Sequence, residues 1–380
     1  MNFVIITNRL YDLRGENITL GGIQTYLVNL CTVIKRNYGT KPYIYQMADV
    51  DFLLSEEDYL VKGVCTVKKK KSLEQVVEAV KKDHLPKDTI IIWGSDQYSR
   101  HINGFKSINI QHGIGFDTEA MDSKPRKLML ELKMGWVYKL LQRFNARKLV
   151  SNGNAVVCVD YNFNNWIRTY LWDASDKSRF RVIPNFTESL DSLDNKSALK
   201  KILVARRFVK RRGIDLAVKS AEKILSEYDS VEFTFAGDGP EKALIESLRD
   251  RFPGRVSITK YSQECSLDFH RNYDIALVPS IGSEGTSLSL LEAMGAGCIP
   301  IATNVGGMTN IIIDNYNGFL VEPSVSSLTK QIRSCLEHDP SLNEIRIAAW
   351  ETVKKGFDVK LWESKWVSII NEVIEIEQTH

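Results

Sequence analysis

The stretch DIALVPSIGSEGTSLSLLEAMGAGCIPIATNVGG, residues 274–307, combines the local signals of a parallel α/β fold. Its apolar run at 274–278 predicts a strand, and a glycine-containing loop follows. The segment at about 286–296 predicts a helix, and 299–302 predicts a second strand. Short runs that are apolar on both faces are typical of parallel strands that helices cover. The stretch therefore predicts one strand–loop–helix–strand unit.

The same alternation recurs along the rest of the chain. Further short apolar runs lie at 3–7, 89–93, 107–110, 155–159, 201–205 and 231–236. Amphipathic segments between them lie at 22–35, 74–82, 214–227 and 241–251. Strands that alternate with helices favour doubly wound, mostly parallel sheets. We therefore predict an α/β fold.

The length of 380 residues exceeds one typical domain and suggests two. A polar stretch near 187–199 precedes Lys201, where the strand–helix pattern restarts. We predict a first Rossmann-like domain over 1–186 and a second over 187–360. The amphipathic segment 361–380 is predicted to form a last helix that packs back towards the first domain.

The composition indicates an ordinary globular protein, with 43% hydrophobic and 26% charged residues. Its six cysteines are spaced singly, which argues against a disulfide framework or a zinc ribbon and favours a reducing compartment. No run reaches about 18 apolar residues, the length of a membrane span. The start, MNFVIITNRL, is interpreted as a buried strand and not as a signal peptide. These features predict a cytoplasmic location.

The loop within 274–307 carries groups that suit an anionic ligand. The backbone N–H groups of Gly285, Thr286 and Ser287 are predicted at a helix N-terminus, where unpaired donors and the helix dipole favour phosphate. Glu284 precedes them and Glu292 follows eight residues later. Eight residues of helix rise about 12 Å, which keeps both carboxylates on roughly one side. That spacing predicts contacts with two ends of an extended ligand.

The stretch 274–307 resembles the motif of glycosyltransferase family 4. That motif contains two glutamates separated by seven residues, with glycines around them. The resemblance implies the GT-B fold, in which two Rossmann-like domains face each other across a cleft. It also implies sugar transfer with retention of the anomeric configuration. The family's first glutamate contacts the donor sugar and its second holds the ribose, roles that fall on Glu284 and Glu292. The donor site would also include Leu288.

The basic loop VARRFVKRRGID, residues 204–215, resembles the family's diphosphate clamp. Two cations about five residues apart hold the phosphates there, and arginine offers planar, paired donors. We assign the pair to Arg207 and Arg212 as catalytic and donor-binding residues. Consecutive basic residues leave the register open by one position, and the alternative is a solvated basic loop.

Two segments near the N-terminus extend the resemblance. LGGIQTYLVNL, residues 20–30, resembles the family's glycine pair before the first helix. Gly21 and Gly22 would let backbone amides approach the donor phosphate. INIQHGIGFD, residues 108–117, places His112 directly after a strand, where the family has a catalytic histidine near the donor sugar. A structural role is the alternative for each.

Two other motifs are rejected as sites. FAGDGPEKALIE, residues 235–246, lacks the third glycine of a dinucleotide fingerprint because Lys242 stands there, so a nicotinamide cofactor is not expected. The Asp49–Val50–Asp51 triplet imitates a metal-binding motif of another glycosyltransferase fold. We interpret it as accidental and expect neither a metal nor a cofactor.

The segment 124–148 is basic and rich in large apolar side chains. Such a stretch can lie on an anionic membrane surface. The equally weighted alternative is a core-facing helix with a solvated basic side. No recognised motif supports nucleic-acid binding.

The resemblance implies a hexosyltransferase that uses a UDP- or GDP-linked sugar. The expected acceptor is a glycan, lipid-linked, in the synthesis of a bacterial surface polysaccharide such as O-antigen or capsule. Tyr261 is suggested to border the base. The alternatives are a noncatalytic sugar-nucleotide-binding component of a polysaccharide assembly complex and a sugar-nucleotide epimerase with the same fold.

Overall fold

The computed structural model describes nine stretches of the chain. They are residues 1–19, 21–66, 72–112, 128–129, 131–169, 178–194, 199–282, 284–337 and 342–376. The chain divides into two compact units. Unit 1 comprises Met1–His112, Leu140–Ile183 and Trp362–His380, and unit 2 comprises Gly113–Lys139 and Pro184–Leu361.

Unit 1 contains a sheet of eight strands among the described residues. They are β1 (Asn2–Ile6), β2 (Tyr43–Ala48), β3 (Phe52–Ser55), β4 (Leu60–Cys65), β5 (Thr89–Trp93), β6 (Lys106–Gln111), β7 (Ala155–Cys158) and β8 (Phe180–Val182). Their order is β3-β4-β2-β1-β5-β6-β7-β8, and every pair is parallel except β3 with β4. All five side chains of β5, TIIIW, are buried, as expected for a strand covered on both faces.

Helices cover this sheet at intervals along the chain. The described ones before residue 184 are α1 (Gly22–Tyr38), α2 (Ser72–Asp83), α3 (Gly135–Val150) and α4 (Tyr161–Arg168). The α1 helix begins after the extended Gly21 and ends where Gly39 adopts a left-handed conformation with φ of 68°. Its buried residues recur at helical spacing, so one face packs on the sheet.

Unit 2 contains a sheet of six strands, all in parallel pairs. They are β9 (Lys201–Ala205), β10 (Glu232–Ala236), β11 (Val256–Thr259), β12 (Ile275–Val278), β13 (Ile299–Thr303) and β14 (Phe319–Val321). The helices from residue 199 onward are α5 (Ile214–Glu227), α6 (Lys242–Arg251), α7 (Ser266–Arg271), α8 (Leu288–Gly295), α9 (Val325–Leu336), α10 (Leu342–Gly356) and α11 (Val359–Glu375).

The unit 2 strands lie in the order β11-β10-β9-β12-β13-β14. This is the Rossmann order 3-2-1-4-5-6, in which the direction of winding reverses between the first and the fourth strand. The reversal therefore falls between β9 and β12. The β4-β2-β1-β5-β6-β7 part of the other sheet follows the same order, with its reversal between β1 and β5. The predicted doubly wound parallel sheets are confirmed.

The last helix, α11, contributes two tryptophans to unit 1. Trp362 and Trp366 are buried, and both rings meet Tyr26 edge-on, at centroid distances of 5.1 and 6.1 Å. Trp366 Nε1 donates a hydrogen bond of 2.9 Å to Tyr26 Oη. The hydrogen bond satisfies a buried donor that would otherwise destabilise the fold.

A glycine turn joins the end of the basic loop to the segment after β12. Gly213 has a φ of 70°, and a Cβ built on it would lie 1.7 Å from the Pro279 carbonyl oxygen. The Ile281 amide donates to the Arg211 carbonyl at 3.1 Å, which ties the two segments together. Only glycine combines this backbone conformation with this close approach.

We predict that Gly213→Ala destabilises the protein far more than Gly39→Ala. Gly39 has nearly the same φ, 68°, but has open space around it. Its substitution should cost about 1 kcal/mol from backbone strain. The alanine at 213 also displaces the Pro279 carbonyl, so urea unfolding should show a further loss of about 2 kcal/mol or more. Equal losses in the two variants would show that the close approach is unimportant.

Candidate functional site

Arg206 lies at the centre of the residues that follow β9 and β12. It comes directly after β9, and its buried guanidinium extends to the segment after β12. Nη2 donates to Ser280 Oγ at 2.9 Å and pairs with the Glu284 carboxylate. Nη1 donates to Ser289 Oγ at 2.9 Å and to Ser287 Oγ at 3.3 Å. Because β9 and β12 flank the reversal of winding, these contacts occupy the place where such sheets bind ligands.

Glu284 is buried between two guanidinium groups. Its carboxylate pairs with Arg206 and Arg212 and accepts a hydrogen bond from the Ser280 hydroxyl. Burial alone raises the pKa of this carboxyl, but the two guanidiniums and Ser280 outweigh burial and lower the pKa to about 2. Glu284 is therefore ionised throughout the physiological pH range.

The three charged groups carry a net positive charge. Burial lowers the pKa of Arg206 to about 10, although the Glu284 carboxylate opposes this shift. Arg206 therefore stays protonated at neutral pH, as does arginine generally. Two guanidiniums and one carboxylate leave one excess positive charge near the carboxyl ends of the strands. The group can thus attract an anion such as a phosphate.

The structure buries Arg206, one position before the predicted clamp residue Arg207, and pairs it with Glu284. Arg207 is exposed, and partial burial together with the nearby Arg212 lowers the pKa of its guanidinium. The assignment of the phosphate clamp to Arg207 and Arg212 therefore stays a prediction. The predicted Arg212 does contact Glu284.

The loop before α8 is longer than the sequence suggested. The helix begins at Leu288, with Ser287 in extended conformation as its N-cap, and not at about 286. Glu284 thus lies in the loop, so the helical rise of about 12 Å does not describe its separation from Glu292. The loop residues Gly285 and Thr286 both precede the helix, whereas the sequence predicted Thr286 as its first residue.

Two contacts fix the loop on its neighbours. The Gly307 amide donates to the Glu284 carbonyl at 2.7 Å, and a Cβ on Gly307 would lie 2.5 Å from the Gly285 carbonyl oxygen. Asn185 Nδ2 donates to the Thr286 carbonyl at 2.6 Å. Glycine at 307 therefore permits the close backbone contact that holds the Glu284 loop in place.

Glu292 lies on α8 beside an aromatic pair. Its buried carboxylate accepts a hydrogen bond of 3.2 Å from Tyr261 Oη. The Tyr261 ring stacks on Phe269 at 4.5 Å with an interplanar angle of 10°, and His270 meets it edge-on. Burial and the Glu292 carboxylate raise the pKa of the Tyr261 hydroxyl. Sequence reasoning suggested Tyr261 but missed Phe269, whose spacing from Tyr261 carried no signal.

The predicted site residues of unit 1 lie at the other reversal of winding. Gly21 is the N-cap of α1 and Gly22 is its first residue. His112 follows β6, and its Nε2 lies 3.0 Å from the carbonyl oxygen of Gly94, the residue after β5. The imidazole also meets the Tyr26 ring edge-on at 5.3 Å. Gly22 and Tyr26 both belong to α1, and the Tyr26 ring contacts His112. This contact joins α1 to the end of β6.

His112 is neutral in this setting. A carbonyl oxygen can only accept, so Nε2 carries the proton and Nδ1 is the acceptor of the ring. Burial lowers the pKa of the imidazole to about 4, although the hydrogen bond to Gly94 opposes this shift. Its protonated form is therefore rare at neutral pH.

The described residues contain no cluster of three or more side chains suited to a metal ion. The Asp51 carboxylate of the Asp49–Asp51 triplet accepts a hydrogen bond of 2.7 Å from the Cys65 amide, a structural contact. Within the described ranges, no helix has the length and apolar character needed to cross a membrane. Part of the basic segment, 124–127 and residue 130, lies outside the described residues.

Comparison with protein families matches part of the chain. Residues 185–351 match the family model described as "Glycosyl transferases group 1". Protein CapJ of Staphylococcus aureus is 30% identical over 163 residues, 41% of this chain and 39% of CapJ. Glycogen synthase of Pseudomonas syringae pv. tomato is 28% identical over 177 residues, 45% and 36% of the two chains. The chain spans about two fifths of the length of these relatives.

Solved structures resemble the whole chain at low sequence identity. Sucrose-phosphate synthase from Thermosynechococcus elongatus has a TM-score of 0.74 at 17% identity, covering 98% of each chain. Anabaena HepE in complex with UDP and glucose has a TM-score of 0.71 at 14% identity, covering 98% of this chain and 99% of HepE. At these identities the likeness concerns the fold, and it confirms the predicted GT-B class.

We predict that His112 makes stability depend on pH between about 4 and 6.5. Its folded pKa of about 4 lies below the unfolded value near 6.5, so its stabilising contribution is complete above pH 6.5. That contribution is lost as the pH falls towards 4. Relative to His112→Gln, the wild type should lose roughly 2 kcal/mol between pH 7 and 4.5 in unfolding experiments. Parallel stability curves for the two proteins would contradict a neutral, buried imidazole.

Proposed function

We propose that the chain is a retaining glycosyltransferase that moves a hexose from a nucleoside-diphosphate sugar to a glycan acceptor. The observation that carries this proposal is the buried Arg206–Glu284–Arg212 group at the carboxyl ends of β9 and β12. It lies in the segment that matches the group 1 glycosyl transferase model. The solved neighbours include HepE with UDP-glucose and the pneumococcal O-GlcNAc transferase GtfA with UDP and GlcNAc.

Arg212 binds the donor diphosphate in this proposal, and the buried Arg206 acts through its charge. Arg206 and Arg212 carry fixed positive charge beside the loop amides of Gly285, Thr286 and Ser287. Guanidinium groups donate paired hydrogen bonds to phosphate oxygens, and the amides add neutral donors. Arg207 and the rest of the basic loop raise the local potential for the incoming anion.

Glu284 contacts the donor sugar. Because the pKa of its carboxyl is about 2, it accepts hydrogen bonds from sugar hydroxyls and does not act as a general acid at neutral pH. The same carboxylate keeps the two guanidiniums oriented. Its two oxygens therefore link the sugar position to the phosphate position.

Glu292 binds the ribose in this proposal, and the Tyr261–Phe269 pair borders the base. The buried Glu292 carboxylate accepts a hydrogen bond from Tyr261, and a ribose hydroxyl is a donor of the same kind. The first residue of α8, Leu288, provides apolar contact on the donor side. The base is uracil or guanine.

The transfer step breaks the bond between the anomeric carbon and the diphosphate oxygen. The electron pair leaves with the diphosphate, and Arg206 and Arg212 stabilise its growing charge. An acceptor hydroxyl forms the new bond on the same face, and its proton passes to the departing phosphate oxygen. That oxygen is a stronger base than the Glu284 carboxylate, whose pKa is about 2. Attack on that face gives retention.

The remaining assignments complete the proposal. In unit 1, Gly21 and Gly22 admit the donor phosphate, and His112 assists the donor sugar as a neutral hydrogen-bonding group. The reaction requires neither a metal nor a cofactor, because fixed arginines meet the diphosphate charge. We place the protein in the cytoplasm, acting on a lipid-linked acceptor in bacterial surface polysaccharide synthesis, O-antigen or capsule.

We predict that Arg212→Ala lowers kcat/KM by two to three orders of magnitude, about 3–4 kcal/mol, as loss of an oxyanion donor does. The exposed Arg207 should matter less, and Arg207→Ala should cost no more than about tenfold, as for a surface charge. The rate is measured as UDP released from UDP-glucose by water, with GDP-glucose tested in parallel. A loss for Arg207→Ala much larger than tenfold would show that Arg207 and Arg212 form the phosphate clamp, as first assigned from the sequence.

Arg206 needs a variant that keeps the buried charges balanced. Arg206→Met alone leaves Glu284 without one partner and is expected to destabilise the fold. The double variant Arg206→Met with Glu284→Gln removes one charge of each sign. Its midpoint of thermal unfolding should be close to that of the wild type. Its rate of UDP release should be no higher than that of Arg212→Ala. Wild-type turnover in this double variant would overturn the proposed site.

We predict that one nucleoside diphosphate stabilises the wild type but not Glu292→Gln. A ligand at one hundred times its Kd adds about 2.7 kcal/mol to the unfolding free energy. UDP, GDP and ADP are compared by thermal unfolding. Glu232→Gln is the matched control and should keep the stabilisation. Glu232 is an exposed carboxylate at the first residue of β10, whereas the candidate site lies at the carboxyl ends of the strands.

The alternatives give different outcomes in the same experiments. Binding of a nucleotide without any turnover, with or without glycan acceptors, would favour the noncatalytic component. Conversion of the donor sugar without an acceptor would favour the epimerase. Absence of stabilisation by all three nucleotides at millimolar concentration would overturn the donor site.

A further inference from the structure

The α3 helix presents a row of large apolar side chains to solvent. Trp136 is 69% exposed, Leu140 42% and Phe144 64%. Residues four apart lie on one face of a helix, so the three side chains form a single stripe. Leu141, also exposed, adjoins it. Exposed apolar stripes of this kind mark contact surfaces.

Part of α3 already packs on unit 1. Ala146 and Val150 are buried, and Ala146 is offset from Phe144 by two residues, about 200° around the helix. The Leu149 carbonyl accepts hydrogen bonds from Ser99 Oγ at 2.7 Å and from Asn109 Nδ2 at 3.2 Å. The α3 helix thus has a core-facing part, as one of the two interpretations expected, and beside it the exposed Trp136–Phe144 stripe.

The charges around the stripe have one dominant sign. Residues 131–150 contain one acidic residue, Glu131, and five basic ones: Lys133, Lys139, Arg143, Arg147 and Lys148. Lys139 and Lys148 are exposed. Apolar side chains with interspersed cations are the pattern of a helix that lies in the interface of an anionic membrane.

We propose that the outward face of α3 binds the surface of an anionic lipid bilayer. The apolar stripe enters the boundary between headgroups and acyl chains, about 5–10 Å deep, while the lysines contact lipid phosphates. A second copy of the chain fits poorly, because it would bring five further basic residues against the same face. The inference goes beyond the proposed transfer reaction and does not depend on it.

The test measures cosedimentation of the full chain with lipid vesicles. Wild type should bind vesicles of phosphatidylcholine with phosphatidylglycerol, and bind pure phosphatidylcholine weakly. Binding should fall as salt rises, since the electrostatic part is screened. The double variant Trp136→Ala with Phe144→Ala should bind at least about tenfold less tightly, because it removes most of the inserted apolar area.

Matched controls separate the stripe from general surface effects. Tyr316→Ala removes another exposed aromatic ring in unit 2 and should leave vesicle binding unchanged. Lys139→Gln with Lys148→Gln should weaken binding to the anionic vesicles about tenfold. Lys82→Gln with Lys87→Gln removes the same charge elsewhere on unit 1 and should have little effect. Thermal unfolding checks that each variant is folded.

Three results would overturn the proposal. They are absence of wild-type binding to anionic vesicles, equal binding by the Trp136→Ala/Phe144→Ala variant, and equal binding to neutral vesicles. A wild-type dimer in light scattering that this variant converts to a monomer would assign the stripe to self-association instead. None of these readouts requires turnover. A failed transfer assay would therefore not affect the conclusion about membrane binding.

Discussion

The buried pairing of Glu284 with Arg206 and Arg212 is the interaction on which the unit 2 site depends. It joins the ends of β9 and β12, which are neighbours only because the winding reverses between them. Burial of charge costs free energy, and in a buried ion pair this cost can exceed the attraction between the charges. The pairing is therefore better explained by a charged ligand than by stability. In the proposed function, the donor diphosphate supplies the negative charge that balances the excess guanidinium.

Glycine turns make this pairing geometrically feasible. Gly213 lets the basic loop approach Pro279, and Gly307 lets the next loop approach the backbone of Gly285. Side chains at either position would separate the segments that carry Arg212 and Glu284. The positions of the charged groups thus follow from backbone contacts as much as from their own attraction.

The two sheets share a strand order but differ in the chemistry at their reversals of winding. Unit 2 places fixed charges there, whereas unit 1 places Gly94, Tyr26 and the neutral His112. A neutral imidazole and backbone groups suit hydroxyl-bearing ligands, and guanidiniums suit phosphates.

The sequence by itself determined the α/β class, the central strands of both sheets and the residue types of the donor loop, because hydrophobic periodicity and glycine spacing are local. It did not determine that Arg206 and not Arg207 turns inward, or that α8 starts at Leu288. It also left open which way the apolar stripe of α3 faces. Only the tertiary structure decided these, since a side chain's burial depends on which distant segment covers it. The Ser280 segment covers Arg206, and nothing in the described structure covers Trp136 to the same degree.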